Sequence, residues 1–286
     1  MGNFERIRYP DGQISAKWVI GQYDNNPLAR RRSDFVLRER INSYEDLFFV
    51  RACADILHYQ ATIDSWKLFI PCMFGQRSDR RFSNMQSFDL KLITDIINEC
   101  KFEEVEIFDP HSDVCLALIN NSSKKSSFEY VEKAVSDVIW RRSNAPSKGP
   151  FEDVVLVSPD AGAYKKVFEF GEKLNLSVVA AVKHRDTQGN ISLTFMGDVK
   201  GKHCLIVDDL CDGGYTFEVL GKALKEQGAE KVYLYVSHGL FSKGFTNLEK
   251  VIDHIYCTNS VKDIDSASYN NDGAKITDFL TQYKTV

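Results

Sequence analysis

"CLIVDDLCDGGYTF", Cys204 to Phe217, begins as an apolar run and ends in acid, glycine and threonine. The run Cys204–Val207 reads as a strand of a parallel sheet, since such strands are covered on both faces and carry continuous Val, Ile and Leu. Ligands of parallel α/β sheets bind beyond the carboxyl ends of the strands. Asp208 and Asp209 stand at such an end, and the turn Asp212-Gly213-Gly214-Tyr215-Thr216 opens a helix expected to begin near Phe217. Gly213 and Gly214 let backbone N–H groups converge on one point, and the helix N-terminus adds its dipole. Thr216 is placed to cap the helix and to donate a hydroxyl. Such a loop is suited to a phosphate, and the upstream carboxylates suit sugar hydroxyls or Mg²⁺, a hard cation that takes oxygen ligands.

A second stretch repeats the design. "VVLVSPDAGAYKK" runs a strand from Val154 into Ser158-Pro159-Asp160, then small residues, then a helix bearing Lys165 and Lys166. Ala161, Gly162 and Ala163 allow a backbone to approach an anion closely, and Asp160 remains for a metal or a hydroxyl. Together the loops imply one ligand with a phosphate at one end, a diol between, and a diphosphate at the other. That is a phosphoribosyl diphosphate.

The same alternation of strands and helices extends along the chain. "WKLFIP" (Trp66–Pro71) and "EVEIFDP" (Glu104–Pro110) read as strands, and Ser87–Cys100 between them repeats apolar residues at helical spacing. In the second half, strands are expected at 153–160, 176–184, 202–209 and 231–239, and helices at 163–175 and 216–229, the latter ending at Gly228. Alternating elements of this kind predict two tandem α/β domains, each a mainly parallel sheet flanked by helices. The Ser-, Pro- and Gly-containing segment Arg141–Pro150 marks the boundary. The first domain is expected over 1–140 and the second, which carries both loops, over 150–286.

At 286 residues, 43% hydrophobic and 27% charged, the composition is that of an ordinary globular protein. A net charge of −4 gives no footprint for nucleic acid, and the clusters Arg30–Arg32, Arg77 with Arg80–Arg81, and Arg141–Arg142 are local. The seven cysteines form no C-x-x-C pair and no zinc spacing, and several sit in apolar runs, which fits a reducing cytoplasm. Neither a secretory leader, a membrane span nor a myristoylation signal is expected from the sequence.

With these loops identified, the sequence resembles the ribose-phosphate diphosphokinases, the phosphoribosyl pyrophosphate synthetases, in their short form, over about Tyr9 to Ser260. "YPDGQ" (Tyr9–Gln13) is similar to the family's aromatic-x-Asp-Gly-Glu element, and Asn42–Leu57 to its first helix. Arg77, Ser78, Asp79 and Arg80 match its ATP-holding Arg-Gln-Asp-Arg run, and "DPHS" (Asp109–Ser112) its Asp-Leu-His-Ala. "VSPDAGAYKK" resembles the diphosphate loop, "VKHR" (Val182–Arg185) the start of the flexible catalytic loop, and "GDVKGK" (Gly197–Lys202) its exit. "VDDLCDGGYT" looks like the ribose-phosphate loop, and "VSHGLFSKG" (Val236–Gly244) the strand and turn after it.

The resemblance implies tandem type I phosphoribosyltransferase domains, with an active site between them completed by a neighbouring subunit of a dimer or hexamer. It also implies transfer of the β,γ-diphosphate of ATP to the C1 hydroxyl of ribose 5-phosphate, with Mg²⁺ and release of AMP. Lys183 and Arg185, after the strand and before the polar loop Asp186–Asn190, are the implied transition-state cations. Tyr9, Asp11, Gln13, Arg77, Ser78, Asp79, Arg80 and His111 are the implied ATP-side residues. His111 and Asp160 are the implied metal contacts, and Arg77 is suited to pair with phosphate or stack on the base.

Three departures stand out. Gln13 replaces an acid, Ser78 replaces glutamine, and Tyr215 stands where short relatives carry arginine. A tyrosine offers a stacking face in place of a cation, which suits a phosphodiester carrying a base. ADP-ribose is such a molecule, so the same transfer to ADP-ribose, in an NAD-rebuilding route, is an alternative to ribose 5-phosphate. A catalytically inactive, synthetase-associated regulatory protein is a reading of another class, and Lys183, Arg185, His111 and both aspartate loops speak against it. Tandem domains and the arginine loop speak against a simple phosphoribosyltransferase.

Overall fold

Continuous apolar runs occupy the middle of each sheet, and polar residues gather where strands hand over to helices. The computed structural model describes residues 3–19, 33–59, 63–142, 153–185, 191–263 and 276–278. They group into two compact units, divided between Ser126 and Ser127.

The first unit opens with an antiparallel pair, β1 (Asn3–Arg8) and β2 (Ile14–Val19). A parallel sheet follows in the order β3 (Ser33–Arg38), β4 (Ile63–Ile70), β5 (Glu104–Phe108), β6 (Ser122–Lys125). Its helices are α1 (Tyr44–His58), α2 (Asp89–Glu99) and α3 (Asp113–Leu118). Ser43 starts α1 by accepting the Asp46 N–H at 3.1 Å, which satisfies one of the helix's orphan donors. Apolar residues at helical spacing in α2 bury Leu90, Ile93 and Ile97 against Leu68, Ile70, Val105 and Ile107 of the sheet.

The second unit contains α4 (Phe128–Arg142), β7 (Val154–Ser158), α5 (Ala161–Leu174), β8 (Ser177–Arg185) and β9 (Ile191–Met196). It continues with β10 (His203–Cys211), α6 (Tyr215–Glu226), β11 (Lys231–Gly239), β12 (His254–Thr258) and β13 (Ile276–Asp278). The sheet order is β13-β12-β11-β10-β7-β8-β9, parallel throughout except for the antiparallel β8–β9 hairpin. Every residue of β7 is buried, as expected of a strand with helices on both faces. Helix α4 precedes the segment expected to divide the domains, yet it packs on the second unit. Asp137 accepts the Tyr256 hydroxyl at 2.8 Å, and Phe128 lies 5.4 Å from Phe170.

The α/β class and the mainly parallel sheets match what is observed, with the β1–β2 pair and the β8–β9 hairpin as the antiparallel parts. All seven cysteines are free and buried. Burial pushes the Cys100, Cys204 and Cys211 thiols up to about 12, so they act as small apolar side chains. Among the described residues no helix is long and apolar enough to cross a membrane.

Candidate active site

The register of two neighbouring strands brings the aspartate loops together. Strands β7 and β10 pair in parallel from Val154↔His203 to Val157↔Ile206. Beyond that point β7 turns at Ser158-Pro159-Asp160, whereas β10 continues beside β11 through Asp208↔Val236 and Cys211↔Gly239. Asp208 and Asp209 lie inside β10, as the expected strand at 202–209 has them, and the strand continues two residues further, to Cys211. They sit where the strand outruns its β7 neighbour and borders the Asp160 loop. Asp208 is half-buried and Asp209 is buried, 7% exposed. The Asp209 N–H donates to Asp208 Oδ1 at 2.9 Å. Burial holds the Asp208 carboxyl well above the usual carboxylate range, and the neighbouring Asp209 adds to this while Lys166 of α5 opposes it. A carboxyl in that condition is stabilised by a ligand that brings hydroxyl donors or positive charge.

Asp160 has a structural task as well. It is the N-cap of α5, its Oδ1 accepting the Ala163 N–H at 3.0 Å, while Ser158 Oγ donates to the Asp160 carbonyl at 2.8 Å. One accepted hydrogen bond leaves capacity on a carboxylate. Ala161 and Gly162 are exposed and Ala163 is half-buried. A Cβ on Gly162 would lie 3.2 Å from Asp160 Oδ1, so a side chain there would crowd the cap.

The phosphate-type loop differs from expectation in its cap. Helix α6 begins at Tyr215, not near Phe217, and its N-cap is Gly214 in the left-handed region at φ 80°. Thr216 lies inside the first turn and makes no cap bond, because a residue with helical φ/ψ cannot occupy the extended cap position. The Phe217 and Glu218 N–H groups both donate to the Gly214 carbonyl at 3.0 Å. No side chain caps this terminus, in contrast to α5, so the amides of Tyr215 and Thr216 head the helix dipole without a side-chain cap bond, with Glu218 the acidic residue of the first turn. Tyr215 is 66% exposed.

Lys183 and Arg185 were expected after a strand. They lie within β8, in register with Leu193 and Ile191 of β9, two residues apart on one hairpin arm. Extended pairing with β9 carries the strand further than its apolar run indicates. The expected loop Asp186–Asn190 lies outside the described residues.

In the first unit, adjacent parallel strands again collect the candidates. After β4 the chain runs through Gln76 to Arg80, and after β5 through Asp109 to Ser112. The His111 N–H donates to Gln76 Oε1 at 3.0 Å, and Ser112 Oγ donates to Asp79 Oδ2 at 3.0 Å. Asp79 also pairs with Arg80 at 3.2 Å, and Arg80 lies over the Phe82 ring at 5.7 Å. Arg77, Arg80 and His111 are exposed, Ser78 and Asp79 half-buried. Tyr9, Asp11 and Gln13 form the exposed β1–β2 turn, with the Gln13 N–H on Asp11 Oδ1 at 3.0 Å and the Tyr9 N–H on the Gln13 carbonyl at 2.8 Å.

Gln76, 3% exposed, fastens the His111 loop to the arginine loop, and no pattern in the sequence marks it for that task. The same holds for Ser242, whose hydroxyl donates to Asp212 Oδ1 at 2.7 Å, and for Leu248, which packs against Gly214. The only signal for these was proximity to matched motifs.

Ribose-phosphate pyrophosphokinase 4 of Saccharomyces cerevisiae is 30% identical to this chain over 271 residues, covering 90% of the chain and 80% of the relative. The chain belongs to the ribose-phosphate pyrophosphokinase family. It is thus an enzyme of diphosphotransferase type. A ribose-phosphate pyrophosphokinase of Cereibacter sphaeroides is 28% identical over 239 residues, 82% of this chain and 66% of that protein. Residues 180–278 match the phosphoribosyl synthetase-associated domain. That stretch carries Lys183, Arg185 and the whole Asp208–Thr216 loop. The crystal structure of phosphoribosylpyrophosphate synthetase from Mycobacterium smegmatis shares the fold, with a TM-score of 0.75 at 18% identity, covering 98% of this chain and 86% of that one.

Proposed function

We propose that this pyrophosphokinase-family protein transfers the β,γ-diphosphate of ATP to the C1 hydroxyl of ribose 5-phosphate. The acceptor's C1 oxygen attacks the β-phosphorus, the bond from that phosphorus to the α-phosphate's bridging oxygen breaks, and AMP leaves. The hydroxyl proton is released. The observation that carries this reading is the juxtaposition at one sheet edge of the Asp160 loop and the Asp208–Thr216 loop. The latter ends in a helix N-terminus with no side-chain cap.

In this reading, Asp208 and Asp209 accept the ribose hydroxyls. The amides of Tyr215 and Thr216, freed by Gly213 and Gly214, hold the 5-phosphate while Asp212 shapes the turn. The backbone of Ala161–Ala163 cradles the transferred diphosphate. Lys183 and Arg185 neutralise the charge that spreads over its oxygens, since phosphoryl transfer depends on positioning and charge more than on covalent chemistry. Arg77, Ser78, Asp79, Arg80 and the Tyr9–Gln13 turn bind ATP. Bound Mg²⁺ would supply further charge neutralisation; Asp160 and the Asp208–Asp209 pair are the candidate holders on the second unit, and His111 is a candidate on the first. Among the described residues no three acidic, His or Cys side chains gather as an all-protein cage. A site of one or two carboxylates fits an ion that completes its octahedron with water and substrate phosphates.

One observation favours a second acceptor. Tyr215 presents an exposed ring at the mouth of the phosphate loop, where an acceptor extended beyond its 5-phosphate would pass. ADP-ribose, with a free C1 hydroxyl, is that acceptor.

The test is incubation with ATP, Mg²⁺ and each sugar, with nucleotides separated by chromatography. One AMP per acceptor consumed is expected. ADP in place of AMP, or no acceptor-dependent AMP with either sugar, would overturn the reading.

A further inference from the structure

The turn after β11 clasps the phosphate loop from outside. The Leu240 and Phe241 N–H groups donate to the Cys211 carbonyl at 2.9 and 3.3 Å, and the Ser242 N–H donates to the Asp212 carbonyl at 3.1 Å. The next residue, Lys243, lays its stem across Gly213. A Cβ on Gly213 would lie 3.3 Å from Lys243 Cδ, 3.5 Å from Cε and 3.6 Å from Cγ. Gly213 is not among the residues with positive φ, so its backbone does not demand glycine. Its missing side chain opens the track along which the lysine stem runs.

The ammonium is one bond beyond Cε, which puts Nζ within about 5 Å of that Cβ point. Lys243 is exposed, and among the described residues its Nζ has no hydrogen-bond or ion-pair partner. The uncapped α6 terminus begins at the following residue, Gly214. A lysine ammonium acts on phosphate as a flexible point charge and needs no fixed fork geometry. Tyr215, the first residue of α6, brings no positive charge to this terminus.

We infer that Lys243 is a further acceptor-binding residue, which brings to the acceptor's 5-phosphate the positive charge that position 215 lacks. The inference rests on the proposed function in taking a 5-phosphorylated ribose as the ligand of this loop. A monoester dianion gains more from one ammonium than a diester monoanion, so Lys243 favours ribose 5-phosphate over ADP-ribose.

Calorimetric titration of the full chain with ribose 5-phosphate and with ADP-ribose, at low and high salt, tests it. Lys243→Met keeps an apolar stem over Gly213 and removes the charge, and Lys243→Arg keeps the charge. The Met variant should bind ribose 5-phosphate about tenfold more weakly at low salt. That difference should shrink at high salt as exposed charges are screened. The Arg variant should stay near wild type, and the loss for ADP-ribose should be smaller. Tyr215→Arg added to Lys243→Met should restore the lost affinity for ribose 5-phosphate. A Met variant that binds like wild type shows that Lys243 only covers Gly213, and overturns the inference. Wild type that binds ribose 5-phosphate without releasing AMP overturns the proposed reaction and leaves Lys243 standing. Wild type that binds neither sugar overturns both.

Discussion

Replacing Gly214 with alanine should damage the phosphate loop far more than the same change at Gly213. Gly214 sits at φ 80°, in the left-handed region. A residue with a Cβ pays about 1–2 kcal/mol for that conformation. The new methyl would also meet Leu248 at 3.1 Å from Cδ1 and 3.2 Å from both Cδ2 and Cγ. Leu248 is 2% exposed and packed among Phe217, Leu220 and Ile252, so it cannot swing into solvent to make room. Crowding of a filled core adds to the backbone term and brings the total to about 3 kcal/mol. For a unit of this size that corresponds to a fall in Tm of about 5 to 10 °C. Gly213→Ala meets only the Lys243 stem, which can move, so its Tm should stay within about 2 °C of wild type. Its acceptor affinity should weaken as the stem is displaced. Scanning calorimetry of both variants, with acceptor titrations alongside, makes the comparison. A Gly214→Ala protein that melts with wild type, or a Gly213→Ala protein that falls as far as Gly214→Ala, would refute the packing argument.

Lys183→Ala and Arg185→Ala should each cut kcat at least a hundredfold, about 2.7 kcal/mol of transition-state stabilisation, with Tm unchanged because β8 keeps its backbone pairing with β9. Near-full turnover in either variant would remove that residue from the mechanism. Tyr215→Arg should raise kcat/KM for ribose 5-phosphate about tenfold and lower activity on ADP-ribose; parallel movement of the two ratios would rule out a role for Tyr215 in choosing the acceptor. In the first unit, burial pushes the Glu39 carboxyl up to about 7, with Asp46 reinforcing and Arg6 opposing. A raised carboxyl pKa means the folded protein binds the proton more tightly than the unfolded chain. Charged Glu39 therefore costs stability increasingly as pH rises from the ordinary carboxylate range to about 7. Glu39→Gln, which can still accept from Arg6, should gain Tm over wild type at pH 8 and show no gain at pH 4. Thermal melts that show equal differences at both pH values would contradict this.

The sequence by itself determined the elements and their chemistry. Short, β-branched apolar runs such as Val154–Val157 and Cys204–Val207, bounded by turn residues, read as buried strands, and the strand-to-helix turns that follow them are short-range patterns of aspartate, glycine and small residues. What reached across the chain was legible only in the fold. β10 outruns β7 but not β11, so Asp208 stands inside a strand and still faces an open loop. That is a property of register, which no single strand encodes. Position 214, not the threonine two residues on, caps α6, because the turn closes on the Gly214 carbonyl and on the side chain of Leu248. Gln76 lies 35 residues from His111, and Lys243 lies 30 residues from Gly213. Each pair meets because parallel strands deliver their carboxyl-end loops to one edge. Local propensity acts over a few residues, whereas the site is assembled by sheet pairing between segments far apart in the chain.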